Sequence, residues 1–289
     1  MRCHQSLLMM TTMKHNTQTG IFDPGDGAIY YEVGGAAEGV LLVLNHAAFL
    51  DSGMWDSQWE PLGRRFRLIR YDMRGYGRSA LVNGPRALRT DLIGLLRHLG
   101  VRRAHLLGCS MGGELMLDLA LEYPEMVASL IMVNSTPSGF EIQGPPPPTL
   151  LELIAAGQQG DIERQIELQM QIWVDGPHRT PTEVDPAVRV HAARMNRIFV
   201  ENRTWGRIMM GAPVALLDPP AVKRLGDVRT PVLILTGALD ADEILRAADI
   251  MAMGIPGAQR VEIAGAAHAP NMEHPELFNR LVLDFLSKV

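Results

Sequence analysis

A chain of 289 residues, 47% hydrophobic and 20% charged, can bury a large core, so general disorder is excluded and one large domain carrying an insertion is expected. The formal charge of −5 gives no electrostatic reason to expect nucleic acid, whose phosphates need a basic surface, and favours a small-molecule partner. Two cysteines, Cys3 and Cys109, cannot build a disulfide framework or a thiolate metal cage, and apolar runs such as residues 40–44 are too short to span a bilayer. A cytoplasmic protein with no membrane span is therefore expected.

The first 20 residues hold Arg2 and the apolar run Leu7-Leu8-Met9-Met10, but Thr11, Thr12, Lys14 and His15 interrupt it too early for a secretory signal. Residues 1–20 are expected to form a disordered leader, with Met13 as an alternative start. Short β-rich runs follow at residues 28–33 and 40–45, bounded by glycines, and recur at 66–71, 104–107, 129–133, 232–235 and 260–263. Between them Leu88, Leu92, Leu95, Leu96 and Leu99 repeat at helical spacing, as do Leu115, Leu119 and Tyr123. Strands alternating with helices predict an α/β fold with a mostly parallel sheet and helices on both faces.

That alternation breaks after Val133, where Pro137, Gly139 and four prolines at 145–148 mark an irregular connection. From residue 150 to about 217 the patterns are helical, broken by Pro177, Pro181 and Pro186, before Pro231 reopens a strand. The expected organisation is a core made of residues 21–138 and 218–289 with a helical cap at 139–217. Met170, Trp173, Met195, Phe199, Trp205, Met209 and Met210 supply the cap with apolar bulk; at helical spacing such residues pack internally more often than they line a pocket.

Gly108-Cys109-Ser110-Met111-Gly112-Gly113 is a G-x-S-x-G placed between an apolar strand and a helix. A sharp turn there needs small neighbours and lifts the serine hydroxyl clear of the sheet, above a helix N-terminus that favours negative charge. The competing reading is an ordinary glycine-rich turn with an N-capping serine. A serine nucleophile needs a base, and His268 fits, carried past a late strand by Ala264-Gly265-Ala266-Ala267; His274 is the rival, but the Pro275-Glu276 after it reads as a helix start. An acid to orient the base is expected at Asp240, three residues past Gly237, with Asp242 as the alternative and Glu243 starting the next helix. For an oxyanion hole the amide of Met111 is paired with that of Ala48, in the stretch Asn45-His46-Ala47-Ala48 after an early strand. Neither an H-E-x-x-H sequence nor a histidine–carboxylate cluster suggests a metal, and no cofactor is expected.

With these residues in place, the chain over residues 25–288 resembles the α/β-hydrolase superfamily. The segment from His46 resembles its H-G-x oxyanion stretch with Ala47 in the usual glycine place. Asp72-Met73-Arg74-Gly75-Tyr76-Gly77-Arg78-Ser79 resembles its D-x-R-G-x-G-x-S turn, and Gly237 to Asp240 its G-x-x-D acid loop. His268 with Glu273, Pro275 and Phe278 resembles its closing signature. The family acid can instead follow an earlier strand, where Asn134 stands here. The stretch from Trp55 through Arg74 to Gly108 is most similar to 3-oxoadipate enol-lactonases and related carboxylesterases. The resemblance implies an α/β-hydrolase fold with a helical cap inserted after the sixth strand, and a triad of Ser110, Asp240 and His268.

The expected activity is hydrolysis of a small-molecule carboxylic ester or lactone through an acyl-enzyme on Ser110. Ser110 argues against the dehalogenase and epoxide-hydrolase branches, which attack with aspartate; carbon-carbon hydrolases and aminopeptidases share the serine triad and stay open. A ligand-binding protein on the same fold is the alternative of a different class. The sequence does not decide oligomeric state; a homodimer is one assembly it allows.

Overall fold

A computed structural model describes residues 17–25, 27–81, 88–204 and 217–289. Among them eight strands form one sheet: β1 (Gln18–Phe22), β2 (Ile29–Gly35), β3 (Val40–Asn45), β4 (Phe66–Tyr71), β5 (Ala104–Cys109), β6 (Val127–Val133), β7 (Val232–Gly237) and β8 (Gln259–Ile263). Their spatial order is β1-β2-β4-β3-β5-β6-β7-β8. The pairs β1–β2 and β2–β4 are antiparallel and all later pairs are parallel. Every residue of β5 and of β7 is buried, which is why these strands are mostly apolar rather than alternating, with His105 and Thr236 as their polar members: helices cover both faces of a parallel sheet.

Among the described residues the α-helices of eight residues or more are α1 (Asp56–Gly63), α2 (Leu88–His98), α3 (Met111–Glu122), α4 (Pro148–Gln159), α5 (Ile162–Gln169), α6 (Pro186–Glu201), α7 (Asp242–Gly254) and α8 (Pro275–Leu286). Three of them, α4 to α6, lie between the sixth and seventh strands. The proline run leads into α4 rather than away from helix, because Pro148 takes the first helical position, where a fixed φ and a missing N–H cost nothing. This helical insertion is packed on the sheet domain: Met170, Val174, Met195, Phe199 and Val200 belong to the main hydrophobic core. Phe199 stacks on Tyr76 at 5.4 Å. Met170, Met195 and Phe199 are thus packing residues, whereas Trp173 is only half-buried; Trp205, Met209 and Met210 lie outside the described residues.

One boundary moves. Gln18, Thr19 and Gly20 pair with Val33, Glu32 and Tyr31, so the end of the expected leader is the start of edge strand β1. Main-chain hydrogen bonds to β2 make this strand while most of its side chains stay in solvent, a situation that apolar patterning cannot reveal. Residues 1–16 of the expected leader lie outside the described residues. Among the described residues no helix is long and apolar enough to cross a membrane.

The strand order also locates a crevice. From β3 the chain moves outward to β4, then returns across β3 to β5, so the connections after β3 and β5 leave in opposite directions. In open α/β sheets ligands bind at such a switch point, beyond the carboxyl ends of the strands. Ala48 follows β3 and Ser110 follows β5.

Candidate active site

Ser110 joins β5 to α3 with φ 53° and ψ −123°, a conformation that side chains rarely adopt. Close approach of the neighbouring elements imposes it. A Cβ on Gly112 would lie 2.6 Å from the main-chain oxygens of Asn45 and His46, and one on Gly108 would lie 2.5 Å from that of Gly112. The first turn of α3 therefore touches the loop after β3, and only glycine lets it. Ser110 stands at the N-cap position of α3, but its hydroxyl makes no capping hydrogen bond. The N-capping reading loses its support. Ser110, Met111 and Ala48 are each partly exposed, while Cys109, Gly112, Ala47 and Phe49 around them are buried.

His268 and Asp240 are brought together. Nδ1 of His268 lies 2.7 Å from Oδ2 of Asp240, and each side chain is 1% exposed. The other carboxylate oxygen, Oδ1, accepts from the Ala241 amide. With Nδ1 donating to the carboxylate, the neutral ring carries its lone pair on Nε2, which has no hydrogen-bond partner among the described residues. No hydrogen bond joins it to Ser110 in this arrangement. The histidine loop nevertheless lies against the serine turn, since Cys109 Sγ donates to the His268 carbonyl at 3.6 Å. Asp242 is elsewhere: its side chain is 91% exposed at the start of α7. His274 occupies the N-cap of α8, as its proline neighbour implied.

The loop after β3 is fixed by His46. Its Nε2 accepts from the Met73 amide at 2.9 Å and its Nδ1 lies 2.8 Å from the Ala47 carbonyl, so Nδ1 carries the proton. Burial pushes the imidazole's pKa down, keeping it in this neutral form. The Ala47 amide is used by Met54 Sδ, and Ala48 is the next residue in the loop. Asp72 explains the D-x-R-G-x-G-x-S turn. It accepts from the amides of Ser52 and Arg78 and from Arg78 Nε, each at 2.9 Å, and although burial alone would raise its carboxyl, these bonds hold it low. Arg74 pairs with Asp91 through two 2.7 Å bonds. The motif thus braces the loop carrying Ala48.

Sequence reasoning gave no role to Asn134, Glu273 or Glu114. Asn134 directly follows β6, at φ 44°, and is fully buried. Its Nδ2 donates to the Ala267 carbonyl at 2.9 Å and its Oδ1 accepts from the Gly237 amide at 3.0 Å, tying the residue before His268 to the end of β7, the strand that precedes Asp240. Glu273 accepts from the Ala267 amide through Oε1 and from Arg179 through Oε2. The only early hint was placement: Asn134 where an acid can stand, Glu273 in the closing signature. Asn134→Ala strands two buried main-chain groups, and we expect it to lower stability by about 1–3 kcal/mol and kcat by about tenfold; urea unfolding and steady-state kinetics check this. Unchanged kcat would remove Asn134 from the positioning network.

Glu114, one turn into α3, is half-buried, and burial followed by repulsion from Asp118 pushes its carboxyl up to about 7 from 4.5. The protonated form is favoured in the fold. The stability linked to this group is therefore present in full below about pH 4.5 and is lost as pH rises through about 7. Glu114→Gln is expected to match the wild type near pH 4 and to exceed it by about 1–3 kcal/mol near pH 8, a difference readable in denaturant midpoints.

Comparison with known proteins agrees with the fold. The alpha/beta hydrolase family model matches residues 40–281. The chain is 29% identical over 276 residues to a "Putative carbamate hydrolase RutD" of Azorhizobium caulinodans, covering 92% of this chain and 97% of that protein. It is 31% identical over 248 residues to a pimeloyl-[acyl-carrier protein] methyl ester esterase of Yersinia enterocolitica, covering 84% and 92%. The enol-lactonase from Burkholderia xenovorans LB400 shares the fold with a TM-score of 0.75 at 22% identity, over 93% of this chain and all of that one. A family match over most of the chain, on a sheet that carries a strained serine turn after β5, makes this protein a member of the alpha/beta hydrolase family and a hydrolase.

Proposed function

We propose that the chain cleaves a carboxylic ester or lactone of a small molecule through an acyl-enzyme on Ser110. The observation that carries this reading is the buried His268–Asp240 pair, which leaves Nε2 of the imidazole without a partner among the described residues, in the loop packed against the serine turn. His268 Nε2 takes the hydroxyl proton as Ser110 Oγ attacks the carbonyl carbon, and the amides of Ala48 and Met111 stabilise the oxyanion. Collapse of the tetrahedral intermediate breaks the bond to the alcohol, which leaves with the proton from His268. Water then attacks the acyl-enzyme, giving one proton to His268; release of the acid returns it to Ser110 Oγ. Asp240 stays ionised throughout, orienting the ring and stabilising the imidazolium.

The ester bond is favoured over other acyl bonds by the relatives named for ester cleavage. Phe49, buried beside His268, gives the site an apolar side that suits an uncharged acyl group. Few cysteines support a cytoplasmic setting. Hydrolysis of p-nitrophenyl esters of short, middle and long acyl chains, set beside a dicarboxylic enol-lactone, tests the substrate class. Preference for uncharged esters of middle length is the expected result. A strong preference for the charged lactone would reject the apolar pocket, and turnover confined to carbon-carbon or peptide bonds would reject the ester reading.

A further inference from the structure

Between α5 and α6 the helical insertion departs from α-helix: Met170–Asp175 is a π-helical turn, a geometry that widens the backbone and often occurs at functional sites. Trp173 lies within it and meets His268 twice. Its indole meets the imidazole at a 45° tilt with ring centroids 4.8 Å apart, and its carbonyl accepts the His268 main-chain N–H at 3.3 Å. Phe49 stacks on the indole at 5.9 Å and lies 6.0 Å from the imidazole.

The turn is also fastened where it must be if it is to hold the imidazole. Arg179, whose side chain is 8% exposed, donates to the carbonyls of Val174 and Asp175 at the end of the turn. The same guanidinium donates to the carbonyl of Gly265 and to Glu273 Oε2, and Glu273 accepts the Ala267 amide. One buried ion pair thus joins the end of the π-helical turn to the loop carrying His268. Gly176, at φ 75°, completes the contact: a Cβ there would lie 2.7 Å from the Leu239 oxygen and 2.8 Å from the Ala267 Cβ, the residues before Asp240 and His268.

We infer that Trp173 is a positioning residue for His268, its carbonyl and indole together holding the imidazole, with the indole face favouring the imidazolium formed when the base takes the Ser110 proton. This rests on the serine-hydrolase reading above. An aromatic face within about 6 Å attracts a cation and does so more strongly when water is excluded. Among the described residues, Asp240 holds Nδ1, Asp175 is paired with Arg189, and Arg179 is paired with Glu273. The indole therefore adds to a fixed electrostatic setting, and its loss acts on the proton-transfer step more than on substrate affinity.

Trp173→Leu and Trp173→Phe in the full chain test this, with kcat and KM for an ester, the rate of inactivation by a fluorophosphonate, and thermal melting to verify folding. Leucine is expected to lower kcat and the inactivation rate together by about 5- to 30-fold. KM should stay within about twofold, and phenylalanine, which restores an aromatic face, should retain kcat within about threefold of wild type. A folded leucine variant with unchanged kcat and inactivation rate would overturn the inference, as would a rise in KM alone, which would make the indole a substrate wall. Equal losses in both variants would also overturn it, by removing the aromatic face from the effect. If fluorophosphonate failed to label Ser110 in the wild type, the serine-hydrolase reading would fail first and this inference with it.

Discussion

Ser110→Ala is expected to lower kcat for ester hydrolysis by about 10⁴- to 10⁶-fold, since the serine and its base act as one unit and loss of either leaves only binding and oxyanion stabilisation. The variant should melt near the wild-type temperature. Alanine at φ 53° keeps the backbone strain of the turn, so the loss belongs to chemistry rather than to unfolding. Ser110→Gly separates the two effects further: glycine adopts this conformation freely, and the melt should show a gain of about 1 kcal/mol while activity is still lost. A turn that is strained in favour of function predicts this opposition of stability and activity.

Asp240→Asn should be nearly as damaging, with a loss of about 10³- to 10⁴-fold in kcat. Its Oδ2 lies 2.7 Å from His268 Nδ1 in a site where both side chains are almost fully enclosed, so no water replaces it. An amide there presents an N–H as well as an oxygen. Facing Nδ1 with its donor, it favours the tautomer with the proton on Nε2, which can no longer accept from Ser110. Asp242→Asn is the internal control: with that side chain in solvent, kcat should stay within about twofold of wild type. If Asp242→Asn were the more harmful change, the acid would have been misassigned between two residues that the sequence alone could not separate.

What could be read from the sequence follows from how each feature is encoded. Strands β3 and β4 cover the residues expected for them, 40–45 and 66–71; residues 41–44 form the continuous apolar stretch that two covered faces demand, whereas β4 carries Arg67 and Arg70 within its run. β5 and β7 run two residues further, through Gly108-Cys109 and Thr236-Gly237, since main-chain pairing continues where the apolar run has stopped. Edge strand β1 escaped for the same reason in stronger form: its pairing is main-chain, and Ile21 is 57% exposed. In the site, the serine turn was legible because its close packing requires glycine at fixed positions, and the His268–Asp240 pair because each residue follows a strand end.

The supporting contacts were not legible. Asn134 is linked to partners 103 and 133 residues away, and Arg179 to Gly265 and Glu273 at 86 and 94. Such bonds depend on three-dimensional packing, and neither the asparagine nor the arginine differs in type from many in the chain. The tryptophan illustrates the remaining ambiguity. Trp173 shares an apolar pattern with Met170, which is core, and only the π-helical turn sends the indole to His268.

Covalent trapping of the nucleophile tests the role of Ser110 most directly. Purified wild type and Ser110→Ala are incubated with a fluorophosphonate, digested, and mapped by mass spectrometry. The expected result is a single adduct on the peptide carrying Ser110, formed at the rate at which ester hydrolysis is lost, and no adduct in the variant. An adduct on another residue, equal labelling of both proteins, or ester turnover that persists in the variant would contradict it.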